Sequence, residues 1–156
     1  MLGRLFKKAV APRPLDTARV PDGVRVYAIG DIHGRDDLLS ALLAKIQADD
    51  QARGPADTQI IFLGDLVDRG PGSAAVIETA MALKASDKNV RFLMGNHEEV
   101  FVSACRKGDP KVTRFFLRIG GEETVLSYPI TRAEYMTLDM EQLTERLATL
   151  GHILIN

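Results

Sequence analysis

Between Val24 and Arg106 this chain repeats one order three times: an apolar run, a glycine, a polar turn, then a segment of helical periodicity. The runs are residues 24–29 (VRVYAI), 59–63 (QIIFL) and 89–94 (NVRFLM), closing on Gly30, Gly64 and Gly95. Over residues 36–50, Leu38, Leu42 and Ile46 share a face with Leu39 and Leu43. Val76, Ala80 and Leu83 recur at i, i+4 and i+7, and residues 98–106 have helical composition. Strands and helices alternating in series predict parallel pairing, because parallel neighbours need a crossover where a hairpin cannot reach. The expected fold class is α/β, with helices layered on a parallel sheet. A length of 156 residues allows one ordinary domain.

Both ends of the chain depart from the repeat. Residues 1–23 are basic and interrupted by Pro12, Pro14 and Pro21, and are expected to form an N-terminal extension, with the domain over residues 24–156. After Lys107, a short helical stretch around residues 114–118, a Gly120-Gly121 break and an amphipathic segment near residues 140–150 predict a helical insertion or cap. The chain ends on ILIN without a cap or polar tail, so the domain is expected to be incomplete at its C-terminus. The 20 Lys and Arg against 21 Asp and Glu leave no global field for a nucleic-acid backbone or an anionic membrane, and neither is an expected partner. A single cysteine, Cys105, excludes an intramolecular disulfide, and the expected location is cytoplasmic.

The chemistry-bearing residues sit in the three glycine-headed turns: Gly30-Asp31-Ile32-His33-Gly34, Gly64-Asp65-Leu66-Val67-Asp68-Arg69-Gly70 and Gly95-Asn96-His97-Glu98. In open α/β sheets ligands bind outside the carboxyl ends of the strands, so turns far apart in sequence are expected to converge. Asp31 and His33, two apart, can face one cation, and Asp65 can bridge it to a second held by Asn96. Oxygen-rich ligation with imidazole suits Mn²⁺, Fe or Zn²⁺. Two such ions roughly 3.5 to 4 Å apart clamp a phosphoryl group and acidify a shared water, supplying hydroxide for in-line attack. Arg69 is the expected holder of the non-bridging phosphate oxygens through forked hydrogen bonds. His97 is the expected proton donor to the leaving oxygen, with Asp68 orienting its imidazole.

The motifs GDIHGR, GDLVDRGPGS and GNHEE resemble, in order and spacing, the signature blocks of calcineurin-like metallophosphoesterases, and specifically of bacterial serine/threonine phosphoprotein phosphatases. Residues 120–128 (GGEETVLSY) also resemble a GG-x-x-T-x-x-SY segment of bacterial relatives. The resemblance implies a layered αββα fold, of which this chain holds the first βαβαβ half and a helical insertion. It implies two divalent metal ions, Mn²⁺ first and Fe or Zn next. Asp31, His33 and Asp65 would ligate one and Asp65 and Asn96 the other, with His97 the general acid, Asp68 its partner and Arg69 a phosphate clamp.

Two further histidine ligands and another arginine belong to the family's C-terminal, β-rich half. Here only His152 follows His97, in LGHILIN, and it is not assigned. A weakly held second metal, an uncovered sheet face and self-association are the expected consequences. The expected activity is phosphomonoester hydrolysis on phosphoserine or phosphothreonine in a phosphoprotein, or on a small phosphorylated substrate. Asp68 in VDRG and Glu98 in GNHE lean toward the protein substrate. The alternatives are a symmetrical diadenosine tetraphosphate hydrolase and, from another class, a catalytically inactive fragment or phosphate-binding module lacking the late histidine ligands.

Other phosphoryl chemistries lack their residues. A Cys-x5-Arg thiol mechanism would need arginine where Lys111 stands, and there is neither an Asp-x-Asp pair nor a Gly-x4-Gly-Lys loop. Glu98 reads as a complement to a helix N-terminus and Cys105 as a buried small hydrophobe. Arg35 is left unassigned, and the sequence does not specify an oligomeric state.

Overall fold

The computed structural model describes residues 19–155. Most of the expected basic extension, residues 1–18, lies outside the described residues, as does the side chain of His152. Strands β1 (Val24–Ile29), β2 (Asp57–Phe62) and β3 (Val90–Phe92) form a parallel sheet in the order β1-β2-β3. Helices α1 (Asp36–Ala52) and α2 (Ser73–Ser86) are the crossovers, so the α/β expectation is borne out. The third strand is shorter than its apolar run. Leu93 N–H still donates to the Phe62 carbonyl at 2.9 Å, after which the chain turns into Gly95.

Register assigns the core. Tyr27, Ile60 and Val90 align across the sheet, as do Ile29, Phe62 and Phe92, and the pleat puts all six on one face. Phe62 and Phe92 stack at 4.4 Å, and Ile29, Phe62 and Val90 join Leu39 and Ile46 of α1 and Val76 and Ala80 of α2 in one buried cluster. Two right-handed crossovers made in the same direction place both helices on the same face. The opposite face, with Val26, Ala28 and Leu93, is exposed, as expected. Leu38 and Leu42, expected on the core face of α1, are also exposed and line a groove of about 210 Å³ with Ala28. Leu39 and Ile46 face the core instead, with Leu43 packed against it.

The insertion is helical. After α3 (Asn96–Lys107), the helix that follows β3, it comprises α4 (Pro110–Phe116), a π-helical turn (Leu117–Gly121), α5 (Glu122–Ser127), α6 (Arg132–Tyr135) and α7 (Met140–Ile155). Gly108, left-handed at φ 58°, ends α3, and Asp109 caps α4 by accepting from Lys111 N–H at 2.8 Å. The expected break at Gly120-Gly121 is borne out: Gly120, at φ 111°, has a non-helical backbone that kinks the chain between two helical stretches, and Gly121 packs against the Phe116 ring. Phe101, Phe116 and Leu147 fill the space between α3, α4 and α7.

Candidate metal centre at the strand ends

The three turns meet at the carboxyl end of the sheet and are joined through their backbones. Ile32 and His33 N–H donate to the Asp65 carbonyl at 2.9 and 3.0 Å, and Gly34 N–H to Leu66 at 2.8 Å. The second and third turns approach so closely that a Cβ on Gly64 would run into the Gly95 backbone. Among the described residues, the non-glycine residues with left-handed backbones are His33, Asp65, Asp68 and Arg69, at φ 46°, 54°, 71° and 67°. Each such conformation costs about 1–3 kcal/mol and persists only where neighbours over-determine it. All four lie in the turns expected to carry the chemistry.

Ligand atoms of His33, Asp65 and His97 lie within 4.8 Å of one another. The His33 Nδ1 hydrogen bonds to the Val67 carbonyl at 2.8 Å, and a carbonyl only accepts, so Nδ1 carries the proton and the Nε2 lone pair faces the cluster. His97 donates from Nδ1 to Asp68 Oδ2 at 2.7 Å, which likewise leaves its Nε2 lone pair inward. The two rings meet edge to face at 4.7 Å. Arg69 spans them, donating to His33 Nε2 at 2.9 Å and to His97 Nε2 at 3.1 Å. Imidazole lone pairs beside the Asp65 carboxylate are a donor set that fits a borderline divalent cation.

The expected site residues fall as follows. Asp31 stands outside the three-residue cluster, with its exposed carboxylate 3.6 Å from His33 Nε2. Asn96 opens α3 beside His97 and is exposed. Asp68 is fully buried, and burial pushes its carboxyl above the usual range while the His97 and Thr124 hydrogen bonds oppose that rise. Arg69 is exposed, and its guanidinium reaches both imidazoles.

Two residues outside the expected set hold this arrangement. Glu98 does cap its helix, accepting from Gly95 N–H at 2.9 Å. It also accepts from the N–H groups of Asp65 (2.7 Å), Leu66 (2.7 Å) and Val67 (3.2 Å), fixing the whole second turn. Thr124 of α5 donates to Asp68 Oδ1 at 2.7 Å and accepts from Asp68 N–H at 2.8 Å. The signal for Thr124 lay in GGEETVLSY. For Glu98 it was the capping spacing, which is silent about three of the four donors.

The family described as Calcineurin-like phosphoesterase matches residues 24–141. A protein of Acidovorax sp. (strain JS42) named "Bis(5'-nucleosyl)-tetraphosphatase, symmetrical" is 44% identical over 80 residues, covering 51% of this chain and 26% of the relative. One of the same name from Klebsiella pneumoniae (strain 342) is 42% identical over 72 residues, covering 46% of this chain and 23% of the relative. The chain thus spans about a quarter of the length of these curated relatives. A hypothetical protein from Pyrococcus horikoshii OT3 shares the fold, with a TM-score of 0.53 at 24% identity over 84% of this chain and 46% of that one.

Proposed function

The chain belongs to the calcineurin-like phosphoesterase family, and from that premise we propose that it carries the metal-binding portion of a hydrolase that cleaves phosphoric anhydride or ester bonds, with a bis(5'-nucleosyl) tetraphosphate as the favoured substrate. The observation that carries the reading is the cluster of His33, Asp65 and His97 spanned by the Arg69 guanidinium at the end of a parallel sheet. His33 and Asp65, with Asp31 beside them, would hold a divalent cation, and Asn96 would contribute to a second. When bound, such ions polarise phosphoryl oxygens and acidify a coordinated water.

The chain's own residues supply the rest. Arg69 is exposed, so its fork can turn from the imidazole lone pairs to the non-bridging oxygens of a bound phosphate. His97, protonated at Nε2, would donate that proton to the leaving oxygen. The buried Asp68 carboxylate keeps the Nδ1 proton in place and stabilises the imidazolium.

Between the two expected substrates, the curated relatives support the dinucleotide over phosphoserine or phosphothreonine. Asp68 and Glu98, which leaned the sequence reading toward a phosphoprotein, contact His97, Thr124 and backbone amides. Residues so occupied are poor discriminators of a leaving group.

The test is incubation of the chain and an Asp65→Asn variant with Mn²⁺ and diadenosine tetraphosphate, a phosphoserine peptide or p-nitrophenyl phosphate, with products separated by anion exchange. Release of two ADP, lost in the variant, is the expected result. Release of phosphate from the peptide with the dinucleotide intact would restore the protein-phosphatase reading. Folded chain without turnover on any of the three would overturn hydrolysis by this chain.

A further inference from the structure

We propose that Thr124 is a positioning residue for the His97–Asp68 pair, presented by a brace, residues 120–127, that the helical insertion lays against the second turn. Asp68 offers two carboxylate oxygens, and the torsion that orients them is broad and not set by staggering. One oxygen faces His97 Nδ1 at 2.7 Å. The other receives the Thr124 hydroxyl, also at 2.7 Å, so the carboxylate plane is held from both sides. Thr124 Oγ1 also accepts the Asp68 amide at 2.8 Å and lies 3.0 Å from Ser73 Oγ. Asp68, Thr124 and Ser73 are all fully buried, so no water competes for these bonds.

The rest of the brace contacts the same turn and the start of α2. Thr124 and Ser127 stand three apart on one face of α5, and Gly120 lies at the kink that precedes it. The Gly120 carbonyl accepts Arg69 N–H at 2.9 Å, and Ser127 Oγ accepts Ala74 N–H at 3.0 Å. A side chain at Gly120 would come within 2.8 Å of Arg69 Cγ, which is why this end of the brace has none. Asp68, Arg69 and Ala74 are therefore tied to α5 and the turn before it. The consequence for chemistry is a His97 imidazole held at both nitrogens, Nδ1–H by the braced Asp68 carboxylate and the Nε2 lone pair by the guanidinium of Arg69, whose backbone the brace also anchors.

This role rests on the hydrolase reading only where turnover is measured. The deciding measurement needs none: the ¹⁵N shifts of His97 Nδ1 and Nε2 in the labelled 156-residue chain, at one pH where imidazoles are neutral. The native chain and Thr124→Ser are expected to show a protonated Nδ1 and an unprotonated Nε2, and Thr124→Val a mixture of the two tautomers. Thr124→Ala removes the same hydroxyl and is read in its place should the valine variant not fold. A native tautomer in the folded hydroxyl-free variant overturns the proposal. If the native chain hydrolyses p-nitrophenyl phosphate, the hydroxyl-free variant should lose kcat about 10-fold with KM unchanged, and Thr124→Ser should restore it. An inactive native chain would fail the hydrolase reading while leaving the tautomer result to decide this one.

Discussion

Glu98 has the spacing of a capping acid, yet its two oxygens collect four backbone N–H groups from two turns. Glu98→Gln keeps the shape and replaces one acceptor oxygen with a donor NH₂, which would face two N–H groups. The expected loss is about 2–4 kcal/mol in urea unfolding, the cost of removing charge-assisted bonds and stranding their donors. Mn²⁺ affinity measured by calorimetry should fall with it, because the Asp65 backbone loses its anchor. Chemical types were legible in the sequence, since Asp, His and Arg at glycine-headed turns are the residue types of a candidate metal site. Their supports were not, because a hydrogen bond between residues 33 or 56 positions apart leaves no local pattern. Cys105 was legible as a buried hydrophobe, and burial pushes its thiol up to about 11. The unfolded chain ionises it nearer the ordinary value, about 8.5. Its contribution is thus whole below that value and is lost as pH rises toward the folded one. Stability should drop by about 1–2 kcal/mol between roughly pH 8 and 10, beyond the change shown by Cys105→Ala in parallel urea titrations.

At the scale of elements, strands and crossover helices followed from local pattern because β1 and β2 are short apolar runs closing on a glycine and α1 and α2 repeat apolar residues at helical spacing. What periodicity could not tell was how near the turns come to one another. Gly64 and Gly54 both have left-handed backbones, at φ 105° and 78°, but only Gly64 faces another backbone, that of Gly95. Gly54→Ala should therefore cost about 1 kcal/mol, the strain of a left-handed alanine. Gly64→Ala should cost about 3 kcal/mol or more in the same denaturation assay, with the turns pushed apart. Equal losses at the two sites would mean that the second and third turns are not in contact. The kink at Gly120 is the same lesson in the insertion: the two glycines that break the helix also mark a close approach, to Arg69 and to the Phe116 ring. The short helix α6 carries a capping box, Thr131 with Glu134, but its four residues are too few to show a period.

The molecule as a whole is asymmetric because its strand order is. Crossovers running in one direction stack α1 and α2 on one face, and β1, an edge strand, is left with Val26 and Ala28 open on the other. Leu38 and Leu42 continue this apolar surface around the β1 edge, and Leu63, Leu93 and Met94 border it at the strand ends. Apolar residues gathered this way, rather than scattered singly, favour association. The isolated chain should therefore sediment with an apparent mass that rises with concentration. Leu38→Glu combined with Leu42→Lys places an i, i+4 ion pair on α1 where the leucines were exposed, and supports the helix slightly. The double variant should reduce the concentration dependence while shifting the urea midpoint by no more than about 0.5 kcal/mol equivalent. A loss of about 2–5 kcal/mol, the size expected for truncating core leucines, would instead place these side chains inside the fold and put the open face somewhere else.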